Sequence, residues 1–199
     1  MTVKSFCGNI DASVSGLSQN ELRLRLGGYP GSDTITDALI DECGKELERF
    51  SEPRFCGVLT EVSYREGNVI DLGFGEFVSK DLYKNLRGAG SAFVFCVTLG
   101  SVNERRLKTL SLTSNAKHYV FDALSSAYAE YCCDVCEKKL TEGRETYPRF
   151  SPGYGDLPLE LQKPLLEYIN AYRLSGITLS KSYLMTPCKS ISAITGIKK

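Results

Sequence analysis

The sequence predicts an α+β fold with a mostly antiparallel, twisted sheet and helices packed around it. Segments that alternate in hydrophobicity, as strands do, interleave with segments of helical periodicity. They do so without the strict strand–helix–strand repetition that builds parallel sheets. Apolar residues make up 42% of the 199 positions, enough for a hydrophobic core. We therefore expect one domain over residues 1–199, with residues 1–16 as an irregular arm or an edge strand.

Two helices are predicted near the N-terminus. The first begins at a capping box formed by Ser18 and Glu21 and ends at the glycine pair 27–28. The second runs over about residues 36–50, with apolar side chains recurring on one face. These side chains are Leu39, Ile40, Cys43, Leu47 and Phe50.

Strands dominate the next part of the chain. Residues 56–64 alternate between two faces, and a turn allows residues 69–72 to return as the partner strand. A short helix over residues 79–87 ends at Gly88. Residues 92–97 are apolar without alternation, which indicates a central strand covered on both faces.

Helices return in the second half. Ser101 and Glu104 have capping-box spacing at the start of one helix, and the longest helix follows over about residues 115–140. A further helix is expected over residues 163–174, where Pro164 is tolerated because it lies in the first turn. Gly176 ends this helix. Short strands are expected at residues 177–179, 183–185 and 191–197.

Composition excludes several classes of function. The 24 basic and 24 acidic residues balance, which argues against nucleic acid or an anionic membrane as a partner. No apolar run approaches the roughly 20 residues of a spanning helix. The first residues also lack the apolar core of a signal peptide, so we expect a cytoplasmic location.

Eight cysteines invite a disulfide or metal hypothesis. We expect them to be reduced and largely buried, because most lie within apolar patterns where a thiol acts as a small hydrophobe. Cys132, Cys133 and Cys136 resemble a metal motif, but the helical pattern directs Cys133 away from the other two. Of the three hypotheses of function considered for this chain, a cysteine-based metal or redox protein is therefore the weakest.

The segment 149–158, RFSPGYGDLP, is the strongest candidate for a binding loop. Two prolines and two glycines exclude a helix interior or a central strand. Arg149 carries a planar cation suited to a carboxylate or phosphate, and Tyr154 lies between two glycines that leave it unshielded. The alternative is a tight turn in which Arg149 pairs with Asp156 or Glu145.

This loop, together with Gln162 and residues 184–194 (LMTPCKSISAI), resembles the activation domain of cobalamin-dependent methionine synthase. The likeness is greater still to the short, free-standing members of that family, and it covers about residues 147–196. It implies that S-adenosylmethionine binds at Arg149, Ser151, Gly153 and Tyr154, with Arg149 on its carboxylate. Cobalamin would be held by a partner protein, with Tyr154 reaching towards the cobalt.

The resemblance also implies partners. The corrinoid partner would be a methionine synthase or a related corrinoid methyltransferase, and a flavodoxin or ferredoxin would supply the electron. The family places a helix acid near the sulfonium, whereas this chain has Ser126 at that position and Glu130 one turn later. Lys189, Ser190 and Ser192 either support the loop or meet the corrin. A second hypothesis is a module that caps or chaperones a corrinoid protein without chemistry.

Overall fold

The computed structural model of the chain describes residues 4–17, 26 and 34–198. The described α-helices are α1 (Thr34–Phe50), α2 (Lys80–Leu86), α3 (Ser101–Thr113), α4 (Asn115–Thr141), α5 (Gln162–Tyr168) and α6 (Ala171–Ser175), and Val14–Gly16 and Leu159–Leu161 are 3-10 helices. The described strands are β1 (Lys4–Asn9), β2 (Arg54–Glu61), β3 (Ser63–Arg65), β4 (Val69–Asp71), β5 (Glu76–Val78), β6 (Ser91–Thr98), β7 (Thr178–Leu179), β8 (Met185–Thr186) and β9 (Ser190–Gly196). The predicted capping box at Ser18 lies outside the described residues.

An antiparallel sheet with the strand order β1-β2-β6-β9 organises the structure. The strands β3, β4 and β5 form a second antiparallel sheet, and β7 pairs with β8. These pairings confirm the predicted α+β class. The arm predicted over residues 1–16 contributes the edge strand β1, and it continues to Ala12, whose carbonyl accepts the Tyr128 hydroxyl at 2.6 Å.

The two faces of the sheet bury separate cores. Helices α1, α3 and α4 cover one face, where Phe93 and Phe95 of β6 are buried. Helices α2, α5 and α6 lie over the other face, where Val94 and Cys96 are buried. This alternation confirms that residues 92–97 form a central strand covered on both faces.

Three local predictions were wrong. The strand predicted over residues 56–64 is two strands: residues 56–61 belong to β2, which pairs with β1 and β6, and only β3 pairs with the returning strand β4. Gly100 rather than Ser101 is the N-cap of α3, without a side-chain capping bond, and Glu104 instead accepts the Cys188 backbone N–H at 3.0 Å. The single helix expected over residues 163–174 is two helices, because Asn170 has φ of 56° and turns the chain between α5 and α6. Asparagine tolerates this left-handed conformation better than most residues. The break depends on this one backbone angle, which the pattern of apolar side chains does not reveal.

Gly57 is required where β2 pairs with β6, opposite Phe95. A Cβ at this position would lie 2.5 Å from Cβ of Phe95 and 2.8 Å from the carbonyl oxygen of Val94. We expect Gly57→Ala to lower the free energy of unfolding by about 1–3 kcal/mol, because overpacking displaces β6. Urea denaturation checks this, with Gly8→Ala in β1 as the control, since its Cβ would meet Phe55 at an ordinary 3.4 Å. Equal stability of the two variants would contradict the prediction.

Candidate functional site

The segment before the loop extends the free edge of β9. Phe150 and Ile194 exchange two backbone hydrogen bonds of 2.9 and 2.8 Å, and Tyr147 N–H donates to the Gly196 carbonyl at 2.9 Å. The Ser151 hydroxyl donates to the Ser192 carbonyl at 2.7 Å. These bonds fix the position of the loop on the sheet, so its side chains are presented from a rigid base.

The loop itself closes as a set of tight turns. Tyr154 N–H donates to the Ser151 carbonyl at 3.1 Å, and Gly153 N–H donates to the Leu157 carbonyl at 2.9 Å. Gly153 has φ of 91°, a conformation that glycine adopts without strain. The expected open backbone groups are therefore bonded within the loop at Gly153 and Tyr154.

Asp156 ties the end of the loop to the N-terminus of α2. Its carboxylate accepts the Ser79 hydroxyl at 2.5 Å, Lys80 N–H at 2.8 Å and Asp81 N–H at 3.2 Å. The bond from Ser79 contributes most to holding the pKa of Asp156 below its ordinary value. Asp156 is therefore not the partner of Arg149.

We expect the wild-type protein to lose more thermal stability on acidification than Asp156→Asn. A lowered pKa means that Asp156 stabilises the fold above its unfolded-state pKa of about 3.8 and that this contribution disappears as the pH falls below it. Melting temperatures from about pH 7 to pH 3 check this. Glu142→Gln, an exposed change at the end of α4, is the control, and parallel curves for all three proteins would contradict the prediction.

Arg149 faces three carboxylates of α4. Its guanidinium lies 2.6 Å from Asp134, 3.1 Å from Glu137 and 3.3 Å from Glu130. Burial disfavours the charge, but the hydrogen bond and negative charge of Asp134 outweigh it, so the pKa of Arg149 is raised. Glu145, the other partner considered, pairs with Lys198 at 3.0 Å instead. The three acids hydrogen-bond to the two terminal nitrogens of Arg149, so a ligand carboxylate at this guanidinium would approach three like charges.

Tyr154 is presented to solvent. The side chain is 59% exposed, and its ring packs edge-on against Phe150 with centroids 6.2 Å apart. Within the part of the chain that the structure describes, its hydroxyl has no hydrogen-bond partner. The phenol is thus held at its base and free at its tip, as a group that contacts another molecule would be.

A groove of about 1010 Å³ runs between the loop and α4. Arg149, Ser151 and Tyr154 line it together with Ile191. Gly153 does not line it, and a Cβ at this position would face Leu159. The remaining lining residues are Glu130, Asp134, Glu137, Lys138, Thr141, Gly143, Arg144, Thr146, Tyr147 and Pro148. Sequence reasoning missed Asp134 and Glu137, although Asp134 follows Glu130 by four residues and Glu137 follows Asp134 by three, spacings that place all three acids on one helix face.

The polar cluster after Pro187 makes internal contacts. Lys189 Nζ lies 2.8 Å from both the Asp122 carboxylate and the Ser126 hydroxyl. The Ser190 hydroxyl donates to Thr98, and the Ser192 hydroxyl donates to Gln162 at 3.2 Å. Ser192 also accepts from Ser151 through its carbonyl, so the cluster supports the loop from behind.

The cysteines are free and largely buried, as the sequence predicted. Cys7 and Cys188 are exposed, and the other six are buried. Burial raises the pKa of Cys132 and of Cys136 to about 12, so these thiols stay protonated. Among residues 4–17, 26 and 34–198 no group of three or more histidine, cysteine or acidic side chains has the arrangement of a metal site.

A second cavity of about 670 Å³ lies beside α5, α6 and the β7–β8 hairpin. Leu166, Ile177 and Leu179 form its apolar part, and Lys163 and Lys181 lie at its edge. It contains none of the residues that the sequence assigned to ligand binding. No helix among the described residues has the length and hydrophobicity needed to cross a membrane.

Comparison with known proteins identifies a solved structure with the same fold. No protein-family model and no curated protein sequence matches the chain. Among solved structures, the chain resembles a crystal structure of the MetH reactivation domain bound to AdoHcy, with a TM-score of 0.65 and 17% sequence identity. The alignment covers 99% of this chain and 78% of that chain. A likeness at this identity shows a shared fold, in agreement with the predicted architecture.

Proposed function

We propose that the chain binds S-adenosylmethionine in the groove and supports reductive reactivation of a cobalamin-dependent methyltransferase of the methionine synthase type. The observation that carries this proposal is the groove itself, which combines the predicted loop, a charged wall and an exposed phenol. Its volume is in the range of small-molecule sites. The structural neighbour that shares the fold binds AdoHcy, the demethylated form of this ligand.

The proposed site uses the four residues that the sequence singled out. Arg149 and its three acids form one wall, Ser151 lines the groove from the loop, and the turn at Gly153 holds the loop that carries Tyr154. S-Adenosylmethionine carries a sulfonium cation, which the excess of carboxylates around a single guanidinium would attract. Tyr154 stands at the rim, where a docked protein could meet its hydroxyl.

Cobalamin belongs to the partner in this proposal. When bound there, it supplies a reduced cobalt centre that accepts the methyl group of the sulfonium and leaves S-adenosylhomocysteine. A flavodoxin or ferredoxin provides the electron. This chain binds and orients the methyl donor, excludes water from the interface and presents Tyr154 towards the cobalt.

A reactivation assay tests the proposal. Inactive cob(II)alamin enzyme of the methionine synthase type, lacking an activation domain of its own, is mixed with S-adenosylmethionine and reduced flavodoxin, with and without the chain. We expect methylcobalamin to form only when the chain is present. Formation at the same rate without the chain, or no formation with any corrinoid methyltransferase tested, would contradict the proposal.

One observation favours a second function, a capping or chaperone module for a corrinoid protein. The Arg149 guanidinium already has three internal carboxylate partners, as a structural arginine would. Such a module would bind the corrinoid protein through Tyr154 without needing S-adenosylmethionine. Calorimetry separates the two functions, because a capping module would give heat with the corrinoid protein and none with the methyl donor.

A further inference from the structure

The charges that line the groove are unevenly distributed. Glu130, Asp134 and Glu137 surround the one guanidinium of Arg149, so this wall keeps an excess of negative charge. The other lining cations lie towards the C-terminal end of α4, and Arg144 is the one that the local backbone holds in place. The groove therefore has an acidic end and a basic end.

Arg144 is oriented by the end of α4. The chain leaves the helix through left-handed residues at Glu142 and Gly143, which turn it back beside the last helical turn. The backbone N–H and Nε of Arg144 both donate to the Thr141 carbonyl, at 2.9 and 3.0 Å. Its two terminal nitrogens have no carboxylate partner within residues 4–17, 26 and 34–198. The structure thus holds a guanidinium by its base and leaves its outer edge open.

The following inference rests on the proposed function. We propose that Arg144 binds the α-carboxylate of S-adenosylmethionine and that the acidic wall around Arg149 faces the cationic sulfonium end. The open edge of Arg144 offers the planar pair of donors that matches a carboxylate, whereas both terminal nitrogens of Arg149 already donate to acids that would repel a second carboxylate. Glu137 and Thr141 are separated by about 6 Å of helix rise, which an extended methionine side chain spans. In this arrangement Arg149 is a positioning residue for the acids.

Two ligands that differ only in the carboxylate test the assignment. Calorimetry compares S-adenosylmethionine with decarboxylated S-adenosylmethionine, which keeps the sulfonium and the amine. Arg144→Gln is expected to weaken S-adenosylmethionine binding about tenfold and to leave the decarboxylated ligand unchanged. Arg149→Gln should weaken both ligands by the same factor. Arg173→Gln, an exposed arginine in α6 outside the groove, is the matched control and should change neither.

The outcomes distinguish this inference from the proposed function. If Arg144→Gln weakens the binding of both ligands equally, or of neither ligand, the inference is overturned. The proposed binding site is not contradicted by that result. If Arg149→Gln, and not Arg144→Gln, weakens S-adenosylmethionine binding without weakening the decarboxylated ligand, the inference is also overturned and the carboxylate is assigned to Arg149. Failure of the wild-type chain to bind either ligand overturns both the inference and the proposed function.

Discussion

Replacing Arg149 by alanine is expected to lower the free energy of unfolding by about 2 kcal/mol and to weaken S-adenosylmethionine binding at least tenfold. The change leaves three like charges of α4 without their shared cation. Glu137 is the most confined of the three, with 18% of its side chain exposed. Removing one partner of a buried ion pair costs about 3–5 kcal/mol, and solvent screening of the more exposed Glu130 and Asp134 reduces that figure here.

Neutralising the acids separates charge from packing. Adding Glu130→Gln, Asp134→Asn and Glu137→Gln to Arg149→Ala should restore much of the lost stability, because the repulsion disappears. Ligand binding should not recover, since the wall that faces the sulfonium has lost its charge. Arg65→Ala, which removes an exposed ion pair with Glu76, is the control for urea denaturation and should cost at most about 1 kcal/mol. Wild-type stability of Arg149→Ala would contradict the argument.

Tyr154→Phe is expected to slow remethylation of the partner's cobalamin about tenfold or more while S-adenosylmethionine binding stays unchanged. The phenyl ring keeps its contact with Phe150, so the loop keeps its shape. What is lost is the hydroxyl, which has no internal partner among the described residues and is therefore available to the corrinoid face.

Two readouts check the role of Tyr154. The first is the rate of methylcobalamin formation, and the second is the visible spectrum of cob(II)alamin when the chain docks. Tyr172→Phe removes a hydroxyl from a more exposed tyrosine at the second cavity and serves as the matched control. A wild-type rate together with a wild-type spectrum in Tyr154→Phe would refute the assigned role.

The sequence revealed the framework of the fold because the framework follows from local patterns. The apolar run at residues 92–97 became the central strand β6, and the turn predicted at residues 65–68 joins β3 to β4. Helix α4 differs from its prediction by one residue at its end. Breaks that depend on a single backbone angle, such as the one at Asn170, leave no trace in hydrophobic periodicity.

The candidate site was predictable only in part. The glycines and prolines of residues 149–158 identified the loop, and the absence of bulky neighbours predicted an exposed Tyr154. The partners of Arg149 were not predictable, because they depend on which face of α4 turns towards β9. The same dependence hid the groove, whose opposite wall lies on a helix that precedes the loop in sequence.

Hydrogen–deuterium exchange with and without S-adenosylmethionine shows where on the chain the ligand binds. We predict slower amide exchange at residues 149–157 and in the last turns of α4, with no change at residues 177–185 beside the second cavity. Protection confined to the second cavity, or unchanged exchange throughout at saturating ligand, would contradict the claim that this groove holds the methyl donor.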